Sequence, residues 1–316
     1  MSDVNDCRPT SLSHIVGQES VKEQLQVALD SSFNDGATLD DGLLVGPCGL
    51  GKSQIAHIIC LELASEFHEV LGQSITSLAD LNALLLQANG RDVIHIDEVH
   101  ELSNQLQTAL YLALDKRLIQ CGSGNGVQSI PIANFTLLLS TTDEYGILQP
   151  LRDRMKLTLR FEFYSEEELV RLLRYRIKGL GWQVDESMLL PIAIRSRGTP
   201  RLALRLLQSA RRVARAEGSE IVGSEHLIRA ASLEQLDEKG LGPQEQKYLR
   251  QLVEGPCRLN VIASCLAVPS RTVAEVYEPF LIRSKLVCKD NSGRRELTPS
   301  GRKHLEESSL FGAVML

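Results

Sequence analysis

The stretch Leu43-Leu44-Val45-Gly46-Pro47-Cys48-Gly49-Leu50-Gly51-Lys52-Ser53 decides how this chain reads. A short apolar run leads into a glycine-rich turn, and a helical pattern follows from about Lys52 to Ala64. Gly46, Gly51, Lys52 and Ser53 meet the spacing G-x-x-x-x-G-K-[ST]. Glycines let the backbone curl until its N–H groups point inward, a nest for anionic oxygens. The helix behind adds its positive N-terminal end. Lys52 can then reach β- and γ-phosphates, and Ser53 can ligate Mg²⁺. A glycine turn with a chance lysine would show the same letters, but here the turn follows a strand and opens a helix.

The matching half of such a site lies some forty residues downstream. Arg91 to Ile96 reads as a strand that ends in Asp97-Glu98-Val99-His100. Asp97 at that strand tip can hold Mg²⁺ through water, and Glu98 beside it can polarise an attacking water. Two solvated acids at a strand end would look alike if no phosphate loop preceded them. Phe135 to Ser140 is another apolar strand, and Thr141-Thr142-Asp143 at its tip would stand between the carboxylates and a γ-phosphate. Pro150-Leu151-Arg152-Asp153-Arg154 follows on a loop, then a strand from Leu157 to Phe163. Helical patterns cover Val21 to Leu29, Ser77 to Gln87 and Leu102 to Leu114. A glycine-bearing hairpin spans Leu118 to Ile132. Strands alternating with helices imply an α/β fold with a parallel sheet wound on both faces.

From Ser165 the pattern turns all-helical. Ser165-Glu166-Glu167-Glu168 caps one helix, Thr199-Pro200-Arg201 starts another, and four helices form a small lid. Lys239-Gly240-Leu241-Gly242-Pro243 reads as the clearest linker in the chain. Beyond it, helices near 244–253, 259–266 and 270–283 precede a hairpin around Asp290-Asn291-Ser292-Gly293, which is a winged helix. Domains are thus expected at 1–164, 165–238 and 239–316. Winged helices engage DNA or dock on proteins. Arg271 and the wing residues Lys289, Arg294 and Arg295 are the candidate DNA contacts.

Charge is divided unevenly. The chain of 316 residues carries a net −6. Residues 1–150 hold 6 Lys and Arg against 19 Asp and Glu, while residues 151–316 hold 28 against 21. A basic half can lie on an anionic polymer, although solvated helix faces give the same count. Seven cysteines, odd in number and without a C-x-x-C pair, suggest reduced thiols in the cytoplasm. No apolar run approaches a membrane span.

Taken together, these motifs resemble the RuvB family, the AAA+ motors of Holliday-junction branch migration, nearly end to end. Arg8-Pro9 and Ile15-Val16-Gly17-Gln18-Glu19 look like its adenine-side segment, and the two stretches at 46–53 and 96–100 look like its Walker motifs. Val276-Tyr277-Glu278-Pro279-Phe280-Leu281-Ile282 is similar to the segment before its wing. The resemblance implies an ATP hydrolase with Mg²⁺, working as a homo-hexameric ring on duplex or four-way-junction DNA in recombination and repair. It implies Glu98 as base, Thr142 as sensor 1, Arg154 as a finger reaching a neighbour's ATP, and Arg201 as sensor 2. It also implies nucleotide contacts from Arg8, Ile15, Val16, Gly46, Gly49, Leu50, Gly51, Lys52, Ser53, Gln54, Asp115 and Tyr164, with Ser53 and Asp97 on the metal. Glu101 and Asp143 stand where the family usually has arginines. The 119–132 hairpin, which docks the family on its RuvA-type partner, is short and rich in glycine. The competing reading is a non-motor AAA+ switch that loads or remodels a protein through its winged helix.

Overall fold

The computed structural model describes residues 7–123 and 126–314. The first of two compact units runs to Glu168. It contains α1 (Glu19–Asp35), β1 (Gly42–Val45), α2 (Lys52–Glu62), β2 (Phe67–Leu71), α3 (Leu78–Gln87), β3 (Val93–Asp97) and α4 (Asn104–Lys116). The antiparallel hairpin β4 (Leu118–Ser123) and β5 (Gly126–Pro131) follows, then β6 (Thr136–Thr141), α5 (Gln149–Arg154) and β7 (Leu157–Arg160). Five strands form one parallel sheet in the order β2-β3-β6-β1-β7.

Side chains alternate across a strand, so a sheet covered on both sides needs apolar residues at nearly every position. Leu43, Ile94, Ile96, Leu137 and Leu139 face α3, α4 and α5. Leu44, Val93 and Leu138 face α1 and α2. Because every strand runs the same way, every strand tip that carries a polar motif opens at one end of the sheet.

The second unit begins within α6 (Glu166–Leu180). The expected Ser165 cap is present: Ser165 Oγ accepts from Glu168 N at 3.1 Å, and Glu168 accepts from Ser165 N. The lid continues through β8 (Gln183–Val184), α7 (Leu189–Arg195), α8 (Pro200–Ala216), β9 (Ile221–Val222) and α9 (Ser224–Leu233). The winged helix has α10 (Pro243–Gln251), α11 (Leu259–Leu266), α12 (Ser270–Thr272), α13 (Glu278–Arg283), β10 (Val287–Lys289), β11 (Arg295–Leu297) and α14 (Pro299–Val314). A π-helical stretch, Val273–Tyr277, joins α12 to α13. Pro279 cannot donate to the turn behind it, and the wider coil there accommodates that loss.

The segment expected as a linker is instead a pinned joint. Asp237 Oδ1 accepts from the backbone N–H groups of Lys239 (2.9 Å) and Leu241 (2.8 Å), and its Oδ2 lies 2.9 Å from His304 Nε2. Leu241 is wholly buried. Gly240 has φ +74°, and a Cβ there would overlap the Arg195 carbonyl. Arg197 forks onto both Glu245 oxygens at 2.6 Å and lies 4.6 Å over the Phe280 ring. Lid and wing therefore share one joint of buried ionic and aromatic contacts.

Candidate active site

The phosphate loop takes the shape its glycines allow. Gly46, Gly49 and Gly51 have φ of +153°, +82° and +103°. At Gly46 a side chain would also collide with Phe161, whose carbonyl oxygen lies 2.7 Å from an added Cβ. Lys52, buried in the loop, donates to the carbonyls of Gly46 (2.6 Å) and Pro47 (3.0 Å). Ser53 Oγ donates to Asp97 Oδ2 at 3.0 Å, so β1 and β3 bring the hydroxyl and carboxylate suited to Mg²⁺ together. Two hard oxygen donors at one point, beside a lysine and a nest of amides, fit a metal–triphosphate.

Glu98 is held from two sides. Its backbone sits at φ +51°, a left-handed conformation that costs a non-glycine residue about 1 kcal/mol. Its Oε2 accepts from Thr142 N and Thr142 Oγ1, each at 3.1 Å. The Glu98 carboxylate and the Thr142 tip of β6 are thus in direct contact. His100 Nδ1 lies 3.0 Å from Thr141 Oγ1 and 3.4 Å from Glu98 Oε2, and its Nε2 is 3.5 Å from Glu101. Glu101 therefore steadies His100. Asp143 caps the following turn, accepting from Tyr145 N and Gly146 N.

The stretch from Arg8 to Glu19 is tied to α2 and to the chain just after β7. Gln54 Nε2 donates to the Pro9 carbonyl (3.1 Å), tying the Arg8-Pro9 stretch to α2. Gln18 exchanges hydrogen bonds with the Glu162 backbone, and Lys22 holds the Ile15 carbonyl. Ile15 and Tyr164 pack on the core that contains Leu50. Burial pushes the Tyr164 phenol up to about 12, so it stays neutral. Val16 falls in the same turn.

Arg154 lies elsewhere. Its guanidinium is 4.0 Å from Asp41, the residue just before β1. Burial pushes the Asp41 carboxyl up, against the Leu137 N–H and the charges of Arg117 and Arg154. The phosphate loop leaves the other end of β1, five residues and about 16 Å away. Arg154 therefore cannot serve its own chain's loop. Asp115, expected at the nucleotide, also lies at this end of the sheet, away from its own chain's loop. It occupies the last turn of α4, next to Arg117, whose guanidinium reaches Asp41 at 3.8 Å. Arg201 belongs to the other unit, at the exposed first turn of α8.

The wing residues expected to touch DNA carry ion pairs of their own. Glu278 is 2% exposed and accepts from Tyr248 OH at 2.9 Å. Arg295 Nε donates to it at 2.5 Å, and Lys289 Nζ lies at 3.4 Å. Arg295 is largely buried against Glu278. Arg294 pairs with Asp290 (2.8 Å), and exposed Arg271 pairs with Glu275 (2.9 Å).

Three features escape a linear reading. Gly72 passes against the Glu98 carbonyl, where an added Cβ would lie 2.5 Å from the oxygen. His100 bridges Glu98 to β6. His95, fully buried, joins Ser140 Oγ (2.7 Å) and Glu69 (3.1 Å) across three strands. Ser140 is fully buried as well, so this trio straps the sheet and is no nucleophile.

A phosphate loop, paired strand-tip acids, a threonine at the next strand tip, a helical lid and a winged helix define a AAA+ ATPase. The comparisons narrow the class. The family described as Holliday junction DNA helicase RuvB P-loop domain matches residues 7–161, the RuvB AAA lid domain 164–237, and the RuvB C-terminal winged helix domain 238–306. A Fervidobacterium nodosum protein named Holliday junction branch migration complex subunit RuvB is 35% identical, over 99% of this chain and 92% of its own. The Thermotoga maritima protein of the same name is 33% identical, over 98% and 96%. The solved Thermotoga maritima RuvB Holliday junction branch migration motor superposes with a TM-score of 0.81 at 32% identity, covering 95% of this chain and 98% of that one. The chain belongs to the RuvB family. Among the described residues no helix is long and apolar enough to cross a membrane.

Proposed function

We propose that this ATPase drives branch migration of Holliday junctions as a homo-hexameric ring, in the cytoplasm, with duplex or four-way-junction DNA as its track. The observation that carries the ring is the place of Arg154, at the opposite end of β1 from its own phosphate loop. A guanidinium there reaches a triphosphate only if another copy brings one to it. Asp115 lies at the same end and would join it, whereas Arg152 packs on the turn at Glu144 and Tyr145, beyond the tip of β6.

Ser53 and Asp97 would hold Mg²⁺, which when bound neutralises charge on the β- and γ-phosphates. Lys52 turns from the loop carbonyls to the phosphates. Thr142 Oγ1 then exchanges Glu98 for the γ-phosphate, which frees Oε2 to orient the attacking water. His100 keeps the freed carboxylate in place. Arg154 of the adjacent copy arrives where phosphoryl charge develops, and Arg201 reads the phosphate from the lid. The pinned joint passes any lid tilt on to the winged helix. That helix meets DNA through Arg271 and Arg294, with Lys289 beside them and Arg295 as support. The relatives are named as subunits of a complex, and a RuvA-type protein docking on β4–β5 is the partner this reading takes.

Glu98→Gln tests the chemistry. The variant binds ATP with unchanged affinity and loses turnover by about 10² or more. Hydrolysis at the normal rate would remove Glu98 as base.

A further inference from the structure

The lid carries a small basic cavity that the ATPase mechanism does not use. It holds about 340 Å³ at the C-terminal end of α8. Trp182, Gln183, Arg211, Arg215, Ser219 and Glu220 line it. The Arg211 guanidinium stacks 3.6 Å over the Trp182 ring. Arg215, one turn further along the same face, is exposed and has no carboxylate partner among the described residues. Desolvation lowers the Arg211 pKa, and the charge of Arg215 lowers it further. Two guanidiniums set side by side repel unless something anionic lies between them.

The last turn of α8 explains one cation, through the helix dipole, but not the built surroundings. The indole fixes the Arg211 guanidinium in a plane, which lowers the entropy it would lose on binding. Gln183 adds a neutral amide donor, while Ser219 Oγ already donates to the Ile221 carbonyl at 2.7 Å. Glu220, the sole carboxylate in the lining, is solvent-exposed. Trp182 itself is only 9% exposed and covered by Arg211, so it has no free face on which a base could stack. We propose that this cavity is a phosphate site, taking a tetrahedral oxyanion between Arg211 and Arg215. It lies ten residues along α8 from Arg201, about 15 Å, and is therefore separate from the lid's nucleotide contact. The phosphate can be a diester of a DNA backbone or free inorganic phosphate; the chemistry of the cavity is the same for both.

Trp182 is the chain's single tryptophan, so its emission reports this cavity alone. Full-length protein without nucleotide is titrated with inorganic phosphate at fixed ionic strength, against chloride. A saturable change in emission is expected, weakened about tenfold in Arg215→Gln and less in Arg215→Lys, which keeps the charge but loses the fork. Thermal unfolding confirms that both variants fold. No saturable response, or the same affinity in Arg215→Gln, overturns the proposal. A second titration with short duplex DNA separates the sources, and only this arm rests on the motor reading. A shift that Arg215→Gln weakens identifies the backbone phosphate. A phosphate response with a silent DNA arm identifies the free ion.

Discussion

Replacing Arg295 with methionine separates two roles that the sequence could not. A DNA contact and a structural cation both read as a basic wing residue. In the structure, Arg295 Nε and Nη2 donate to Glu278, whose carboxylate is 2% exposed. Removing one partner of a buried ion pair typically costs about 3–5 kcal/mol, because the other charge stays buried. Tyr248 and Lys289 still attend Glu278, so the lower end, about 3 kcal/mol, is expected. For a unit the size of lid plus wing, each kcal/mol moves the melting temperature by about 2–4 °C, giving a drop of roughly 10 °C. Circular dichroism at neutral pH measures it.

The pH dependence follows from Glu278. Burial opposes its ionisation, but Arg295 and Tyr248 outweigh burial and hold the carboxyl below the usual range. A depressed folded pKa stabilises above the unfolded value, about 4.3, and that contribution fades as pH falls through the folded value. The gap between wild type and Arg295→Met therefore narrows below about pH 4.3. An unchanged melting temperature with a clear loss of DNA affinity would refute the structural role and return Arg295 to the interface.

Two further expectations concern motion and geometry. Gly72→Ala places a methyl against the Glu98 carbonyl, displaces the base, and lowers kcat about tenfold with KM unchanged; steady-state ATPase kinetics check this. Arg197→Ala removes the fork on Glu245 and the stack on Phe280. ATP hydrolysis then continues while branch migration slows several-fold, measured by strand-displacement of a synthetic junction; equal losses in both would show that the joint transmits nothing.

Much of the fold was legible because its signals are local. The phosphate loop, the strand-tip acids and the Ser165 cap each depend on residues within one turn. Strand β2 was not legible. Phe67-His68-Glu69-Val70-Leu71 is a half-exposed edge strand, and its mixed polar and apolar positions lack the continuous apolar run that marks the buried strands. The joint at 237–245 looked like a linker since glycine and proline usually mark one. Its rigidity comes from His304, Arg197 and Phe280, far away in sequence. The same holds for Glu278, whose partners are 17 and 30 residues distant. Residue type found the site's chemistry; which charges are already paired required the fold. Asp115 illustrates the limit, since only the course of α4 shows that it keeps company with Arg154's end of the sheet.

On the proposed mechanism each triphosphate is cleaved with an arginine lent by the adjacent copy. Arg154→Ala and Glu98→Gln, each inactive alone, are mixed in equal amounts before ring assembly and assayed for ATP hydrolysis with junction DNA. Half the subunits keep the base and half keep the finger, so about one interface in four pairs them, and about a quarter of wild-type turnover should return. A mixture that stays as inactive as its parts would contradict the account.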